Sequence, residues 1–155
     1  MELRVRFAET DQIGIAHHAA YVVWLEAARV EWLRALDLRY RDLEDQGVSL
    51  AVTAVDVRYR QALRFDDRVR IDVVLEEARS RRLRFGYRVV QLADDAPAED
   101  AAIDPVARPP GTAATPGPLA ATAATVHVPT DRRGVAQRLP SAWLAAIAPH
   151  VGGGR

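Results

Sequence analysis

The residues best suited to chemistry lie near the amino terminus, in the segment Glu9-Thr10-Asp11-Gln12-Ile13-Gly14 and the histidines that follow it, His17 and His18. A carboxylate such as that of Asp11 could attack an activated acyl carbon or orient a water molecule, while an N–H group at the start of a helix polarises the carbonyl. Hydrolysis of a thioester needs only those two groups. On spacing alone, however, the commoner role of a loop Asp or Thr is to cap a turn.

A long helix is expected directly after these residues, from about His18 to Leu36, where strong helix formers predominate. Apolar residues recur four and three positions apart on one face, at Tyr21, Leu25, Ala28, Trp32 and Ala35. The other side carries Val22, Val23, Ala27 and Val30, so we expect burial around nearly the whole helix. The free N–H groups and the positive dipole end of this helix would lie beside Asp11 and could hold an anion.

Alternation of apolar and polar residues predicts about five strands, in residues 2–7, 50–59, 69–75, 83–89 and 119–128. The apolar phase flips near Ala54, which predicts a bulge there. A short helix is expected from Pro140 to Ala148. The economical packing is α+β, an antiparallel sheet with a polar outer face wrapped around the long helix in the hot-dog arrangement. A ferredoxin-like fold would need a second long helix, and residues 61–67 are too few for one.

Length and composition predict a single domain over residues 1–155, because a chain of 155 residues that is 49% hydrophobic can bury one substantial core. Residues 94–118 hold six of the nine prolines, and we expect them to form a disordered insertion. The amino terminus shows neither a signal peptide nor a membrane span, so a cytoplasmic protein with no membrane partner is expected.

Charge and residue usage exclude several classes of function. The formal net charge is zero, which gives no support to nucleic-acid binding. The sequence contains no Lys, which excludes a Schiff-base mechanism. It also contains no Cys, which excludes a thiolate nucleophile, a disulfide framework and a cysteine metal site.

The segment from Glu9 to Arg29, ETDQIGIAHHAAYVVWLEAAR, resembles the signature of the 4-hydroxybenzoyl-CoA thioesterase family and its Tol-Pal-associated acyl-CoA thioesterase branch. The resemblance lies in an acidic-x-Asp-x-x-Gly loop and a Trp-x-Glu-x-x-Arg helix. The runs Arg82-Leu83-Arg84-Phe85 and Arg138-Leu139-Pro140 also look like family positions. The resemblance extends over residues 2–93 and 119–148 and implies a hot-dog thioesterase that hydrolyses an acyl-CoA.

The family pattern implies roles for particular residues. Asp11 matches the catalytic carboxylate, as nucleophile or general base, and the backbone N–H of His18 matches the group that polarises the thioester carbonyl. Tyr21 and Trp24 match positions that shape the acyl pocket, although aromatic residues at this spacing are more often core. We assign Gly14 and His17 to the substrate-binding set as well. His17 stands where relatives often carry Tyr, and Ala20 where they often carry Asn, so the acyl group is not predicted.

Glu26 is a rival for the catalytic carboxylate, because a different hot-dog thioesterase lineage places its carboxylate on the helix. The ordinary alternative, which we prefer, is an i, i+3 ion pair with Arg29. A metal site formed by the histidines, Asp11 and Glu26 is not expected, because neighbouring histidines at a helix start point about 100° apart.

Three arginines between two predicted strands, Arg79, Arg81 and Arg82, could bind the phosphates of coenzyme A. A solvated strand end with cross-strand ion pairs explains them equally well. Coenzyme A would be part of the substrate, and no other cofactor is expected.

Four functions are therefore open, and all use the same fold. The leading one is hydrolysis of an acyl-CoA, in a homodimer or homotetramer whose active sites lie between subunits, as the resemblance implies. The others are hydrolysis of acyl groups on a carrier protein, acyl-thioester binding without turnover, and hydration or dehydration of an enoyl-CoA by Asp11 with His17 or His18.

Overall fold

The structure, a computed structural model, describes residues 1–93 and 116–152. The expected insertion at residues 94–118 therefore lies outside the described residues, except for its last three positions. Those three positions belong to a strand, so the final strand begins earlier than the sequence predicted. In the described part of the chain, no helix is long and apolar enough to cross a membrane.

Three α-helices and five strands make up the described residues. The helices are α1 (His18–Arg34), α2 (Tyr40–Asp45) and α3 (Ser141–Ile147), with single 3-10 turns at Phe7–Glu9 and Ala148–His150. The strands are β1 (Glu2–Arg4), β2 (Ser49–Tyr59), β3 (Arg68–Arg79), β4 (Arg82–Leu92) and β5 (Pro116–Thr130). The five expected strands and the two expected helices are thus confirmed, and α2 was not predicted.

The strands form one antiparallel sheet in the order β1-β3-β4-β5-β2. Strands β3, β4 and β5 follow one another as a meander, and β2 pairs with β5 at the far edge. The register of β2 shifts between Val52 and Ala54, where the apolar phase of the sequence flips, so the predicted bulge is confirmed. Strand β2 ends the sheet on one side with eleven residues, while β1 ends it on the other with three.

The core lies between the sheet and one face of α1. Buried residues of the helix, among them Tyr21, Leu25 and Leu33, join a cluster with buried residues of the sheet such as Phe85 and Ile71. An apolar helix face and a set of alternating strand residues bury the most surface when they cover one another. The hot-dog arrangement expected from the sequence, a five-stranded antiparallel sheet on one long helix, is confirmed.

The expectation that α1 is buried nearly all round is wrong for the single chain. Val22 is 43% exposed and Val23 is 55% exposed. The sheet covers only the face that carries Tyr21 and Leu25, so the second apolar side of α1 meets no part of the described chain that buries it. The helix ends two residues before the predicted end, where the N–H of Leu38 bonds to the carbonyl of Leu33 around Asp37, whose φ is +58°.

Candidate active site

A tight loop carries Asp11 between the 3-10 turn and α1. The Asp11 N–H donates to the carbonyl of Ile15 at 3.0 Å, and the Gly14 N–H donates to the carbonyl of Asp11 at 2.9 Å. Gly14 has φ of +75°, in the left-handed region that glycine adopts without steric cost. A bridge between Thr10 and Ala16 closes the loop at its base. The spacing of Asp11 and Gly14 in the sequence is therefore what this turn requires.

The two oxygens of the Asp11 carboxylate differ in their contacts, because only one of them caps the turn. One oxygen, Oδ1, accepts a hydrogen bond from the N–H of Ile13 at 3.0 Å, as a turn-capping Asp does. The side chain is exposed, and within the described residues the second oxygen accepts no hydrogen bond. The capping alternative is thus part of the structure, and it leaves one oxygen able to act on a ligand.

The start of α1 supplies free donors next to this carboxylate. His17 is the N-cap, and its Nδ1 accepts from the N–H of Ala20 at 3.1 Å. Its own N–H donates to the carbonyl of Glu9 at 2.9 Å. In the part of the chain that the structure describes, the N–H groups of His18 and Ala19 have no acceptor, as the first turn of a helix allows. The positive end of the helix dipole lies at these donors.

These groups open into one pocket of about 380 Å³. It brings together four of the residues singled out from the sequence, Asp11, His17, His18 and Tyr21. The remaining lining residues are Ile15 and Ala16 from the loop and Tyr59, Arg60, Gln61 and Ala62 from the end of β2. The residues at the end of β2 were missed, because the contact arises from the segment after β2, where the Ala16 N–H donates to the carbonyl of Leu63 at 2.8 Å and Ile15 bridges to Arg64.

Two tyrosines form an aromatic wall in this pocket. The rings of Tyr21 and Tyr59 meet edge to face, with centroids 4.9 Å apart and planes at 79°. Burial is the main cause that raises the pKa of Tyr21 to about 12, and repulsion of its phenolate by the ionised forms of Tyr59 and Asp67 adds to it. Burial also raises the pKa of Tyr59 above its ordinary value. Both phenols are therefore neutral at physiological pH, and neither can act as the base.

Glu9 anchors the loop to α1, a role that the sequence did not predict. Its carboxylate accepts from the N–H of Arg6 at 2.8 Å, from the Arg6 guanidinium at 2.6 Å and from the indole N–H of Trp24 at 2.9 Å. Burial alone would raise the pKa of Glu9, but these hydrogen bonds outweigh it and hold the pKa below its ordinary value. The only signal in the sequence is the acidic-x-Asp pattern, in which Glu9 is the acidic residue.

A family model described as the thioesterase-like superfamily matches residues 5–147. The chain belongs to this superfamily. The resemblance to thioesterases in the sequence is therefore confirmed.

Relatives of this superfamily member agree with that assignment. The acyl-CoA thioester hydrolase YbgC of Escherichia coli O157:H7 is 30% identical over 112 residues, which are 70% of this chain and 84% of the relative. A hypothetical protein from Thermus thermophilus has a solved structure that is 33% identical, with a TM-score of 0.77 and coverage of 97% of this chain and 95% of that one. The DHNA-CoA thioesterase from Staphylococcus aureus is 24% identical with a TM-score of 0.77, over 96% and 87% of the two chains, and supports the fold alone.

Among the residues expected at the site, Gly14 shapes the loop without lining the pocket of Tyr21, and Trp24 and Glu26 of α1 lie away from it. Trp24 is buried behind the loop, where it bonds to Glu9 and lines a separate groove with Met1 and Leu3. Glu26 is exposed on α1 and does not line the pocket. The catalytic alternative for Glu26 thus lacks a place beside the free donors of α1.

The expected ion pair between Glu26 and Arg29 is wrong. Within the described residues, Arg29 forms no ion pair, and its guanidinium lies over the ring of Tyr40, 5.5 Å from the centroid. Arg29 is only 5% exposed, and its Nη1 atom has no hydrogen-bond partner in the described part of the chain. Residue 29 lies on the buried face of α1 while residue 26 lies on the exposed face, so the two side chains diverge.

Arg79, Arg81 and Arg82 lie at the opposite end of the sheet from the pocket. They form the turn between β3 and β4, where Arg79 and Arg82 both pair with Glu77, at 2.8 Å and 3.6 Å. In the sheet, Val89 of β4 lies opposite Ala121 of β5, which in turn lies opposite the pocket residue Tyr59 of β2. Arg82 is seven residues from Val89, or about 23 Å along β4, and is therefore far from the pocket. The expected phosphate contacts of Arg81 and Arg82 do not reach the pocket of their own chain.

Proposed function

We propose that this protein hydrolyses an acyl-CoA thioester to a free acid and coenzyme A, with Asp11 as the catalytic carboxylate. The observation that carries the proposal is the shared pocket, which receives the exposed Asp11 carboxylate and the start of α1 at His18. The unbonded N–H of His18 supplies an oxyanion donor there. The name of the Escherichia coli relative supports the choice of acyl-CoA. The Tol-Pal-associated branch and a cytoplasmic location stay predictions.

The chemistry needs only groups of the chain and water. Asp11 takes a proton from a water molecule while the oxygen of that water attacks the thioester carbonyl carbon. The carbonyl oxygen gains the negative charge. The N–H of His18, at the positive end of α1, donates to that oxyanion. When the C–S bond breaks, the electron pair leaves with sulfur, and the proton held by Asp11 returns to the thiolate. Direct attack by the carboxylate through an anhydride is the alternative route through the same atoms.

An Asp11→Asn variant tests the assignment. Its amide oxygen can still accept from Ile13, so the loop keeps its turn, while the base is lost. We expect release of free thiol from acyl-CoA substrates to fall by about a hundredfold or more, with little change in the melting temperature. A panel of aliphatic and aromatic acyl-CoA substrates with a thiol reagent measures this.

Asp45→Asn is the matched control, because Asp45 is an exposed carboxylate at the end of α2 with no hydrogen bond in the described residues. It should keep wild-type activity. An Asp11→Asn variant with wild-type activity would remove Asp11 from the mechanism.

We also infer that a second copy of the chain completes the site, through the edge of β2 that pairs with no strand in the described part of the chain. Three residues of this strand are apolar and exposed, Val52 at 54%, Val55 at 42% and Tyr59 at 50%, and Val22 of α1 is 43% exposed. A long exposed edge with apolar side chains is a ready pairing surface. Since Tyr59 also lines the pocket, a copy paired along β2 would lie beside it.

A further inference from the structure

Two exposed phenylalanines form a pair outside the pocket of Tyr21. Phe7 opens the 3-10 turn and is 76% exposed, and Phe65 lies between β2 and β3 and is 56% exposed. Their rings meet edge to face, with centroids 5.8 Å apart and planes at 85°. Ile13, in the loop of Asp11, is 72% exposed as well. Apolar side chains that are exposed as a group mark a binding surface more often than single ones do.

The two rings line a second pocket, of about 700 Å³, which Asp11 lines as well. Its other lining residues are Thr10, Asp11, Gln12 and Gly14. Asp11 is the one lining residue that this pocket shares with the pocket of Tyr21. The loop of Asp11 therefore lies between two pockets, and Asp11 lines both.

A thioester needs two binding regions, because its acyl chain and its thiol arm leave the trigonal carbonyl carbon in different directions. When a carboxylate acts at that carbon, the acyl chain and the thiol arm of the thioester therefore extend to different sides of the carboxylate. The pocket of Tyr21 has the oxyanion donor of α1 and a buried ring, which suit the carbonyl and the acyl group. The thiol arm of coenzyme A is long and ends in a charged nucleotide, so it requires a pocket that leads outward.

We propose that the pocket of Phe7 and Phe65 binds the pantetheine arm of the thioester, an assignment that rests on the proposed function. The two rings contact the apolar, dimethyl-bearing part of the arm. The side chains of Thr10 and Gln12 match its amide groups, since Gln12 is exposed and the Thr10 hydroxyl, which donates to the carbonyl of Phe7 at 2.8 Å, keeps lone pairs for an amide N–H. The pocket is thus a subsite for the leaving group.

The test compares two substrates that share an acyl group but differ in the thiol arm. One is the acyl-CoA that the wild-type protein hydrolyses fastest in the panel above, and the other is the S-ethyl thioester of the same acid. In Phe7→Ala and Phe65→Ala variants, we expect KM for the acyl-CoA to rise about tenfold with kcat unchanged, because binding common to ground and transition states is lost. Hydrolysis of the S-ethyl thioester should not change.

A control and a binding measurement keep the test decisive. Val135→Ala removes an apolar side chain that is 59% exposed in the turn after β5, and it should affect neither substrate. Free pantetheine should bind to wild type and to Asp11→Asn alike, and about tenfold more weakly to Phe7→Leu, which keeps an apolar residue should the Ala variants fail to fold. The binding is measured by calorimetry.

Two results would overturn the subsite. One is an equal effect of the Phe variants on both thioesters, or no effect on either. The other is a loss of both activities together with a change in oligomer mass by light scattering, which would assign the rings to contact with a second copy. Failure of the proposed function is distinguishable, because it appears as full activity in Asp11→Asn.

Discussion

Glu9 determines where the catalytic loop sits, although it does not reach the pocket. Its side chain is 8% exposed and accepts hydrogen bonds from the residue that precedes the 3-10 turn, Arg6, and from a residue in the second turn of α1, Trp24. The same residue accepts the N–H of His17 through its carbonyl. Glu9 thus ties the strand end, the loop and the helix start together, and the distance between Asp11 and the α1 donors depends on it.

Trp24→Phe should show this link. The substitution keeps a ring in the core but removes the N–H that Glu9 accepts, so a buried carboxylate loses one donor. We expect the free energy of unfolding to fall by about 1–3 kcal/mol and kcat to fall several-fold. Denaturant unfolding and thiol release measure the two effects.

Trp32→Phe is the matched control, because the indole N–H of the half-buried Trp32 has no acceptor in the described residues. It should change stability only through packing. Equal losses in the two variants would contradict the role given to Glu9.

At the residue scale, the sequence predicts what lies in one continuous segment. Asp11, Gly14 and the start of α1 are neighbours in the chain, so spacing and turn chemistry place them together. Tyr59 and Phe65 enter through the end of β2 and the connection after it, and no local pattern shows that this connection reaches the loop of Asp11. The direction of Trp24, toward Glu9 instead of the acyl pocket, also depends on packing.

At the scale of elements, β2 is the least protected part of the sheet. It has eleven residues, and no described strand pairs with one of its edges, while natural sheets commonly shorten, charge or cover an edge of that length. Period-two alternation predicts which face of a strand is buried but not which strand lies beside it. For that reason the meander of β3, β4 and β5 follows from chain order, whereas the pairing of β2 with β5 could not be predicted.

A Val52→Lys, Val55→Lys double variant tests the edge. Two charges beside the free edge would have to be buried or brought together in a β2–β2 contact, which is costly. We expect a shift to monomers by light scattering and a loss of activity, since the site would lack its second copy. Val135→Lys, a charge in an exposed turn, should leave both unchanged. Retention of a dimer by the double variant would exclude this edge as the interface.

For the exposed side of α1, too, the sequence predicts an apolar face but not what that face packs against. Val22 and Val23 are as apolar as the buried residues of the helix, and composition alone cannot separate a side that packs within the chain from one that packs against another chain.

The short helix α2 was missed for a different reason. Its six residues, Tyr40–Asp45, contain a single buried side chain, Leu43, so they carry no helical period.

At the scale of the whole molecule, a polar chain crosses the core between β4 and β5. The hydroxyl groups of Tyr87 and Thr125 are 2.9 Å apart, and Thr125 lies 2.8 Å from Nε2 of His127. Burial, and then the positive charge of Arg29, lower the pKa of His127 to about 4. The imidazole is therefore neutral in the folded protein at pH values where it would be charged in the unfolded chain.

The stability of the fold should consequently fall in mild acid. The unfolded chain binds a proton at His127 near pH 6.5, and the folded protein does so only near pH 4, so the unfolded state is favoured as the pH drops between those values. The contribution of His127 is about 3 kcal/mol when the pH reaches 4. Urea unfolding between pH 7 and pH 4 measures it.

His127→Gln should remove this part of the pH dependence, because the amide still reaches Thr125 and does not titrate. His150→Gln is the control, since His150 is exposed and follows α3. It should leave the pH dependence as in wild type. An unchanged slope in His127→Gln would show that other groups account for the acid sensitivity.

The position of β2 in the sheet also bears on how the protein is made. Its partners in β5 run from Thr130 opposite Ser49 to Ala121 opposite Tyr59, so a ribosome must synthesise more than sixty further residues before β2 has anything to pair with. The β3–β4 hairpin closes locally and early, whereas β2 and β5 are separated in the chain by β3, β4 and their connections, so their pairing closes a long stretch of chain and is slow. During that interval both edges of an apolar strand are unpaired. Aggregation of the newly made chain should therefore begin at β2, and the rate at which β5 docks limits how much of the protein reaches its native state.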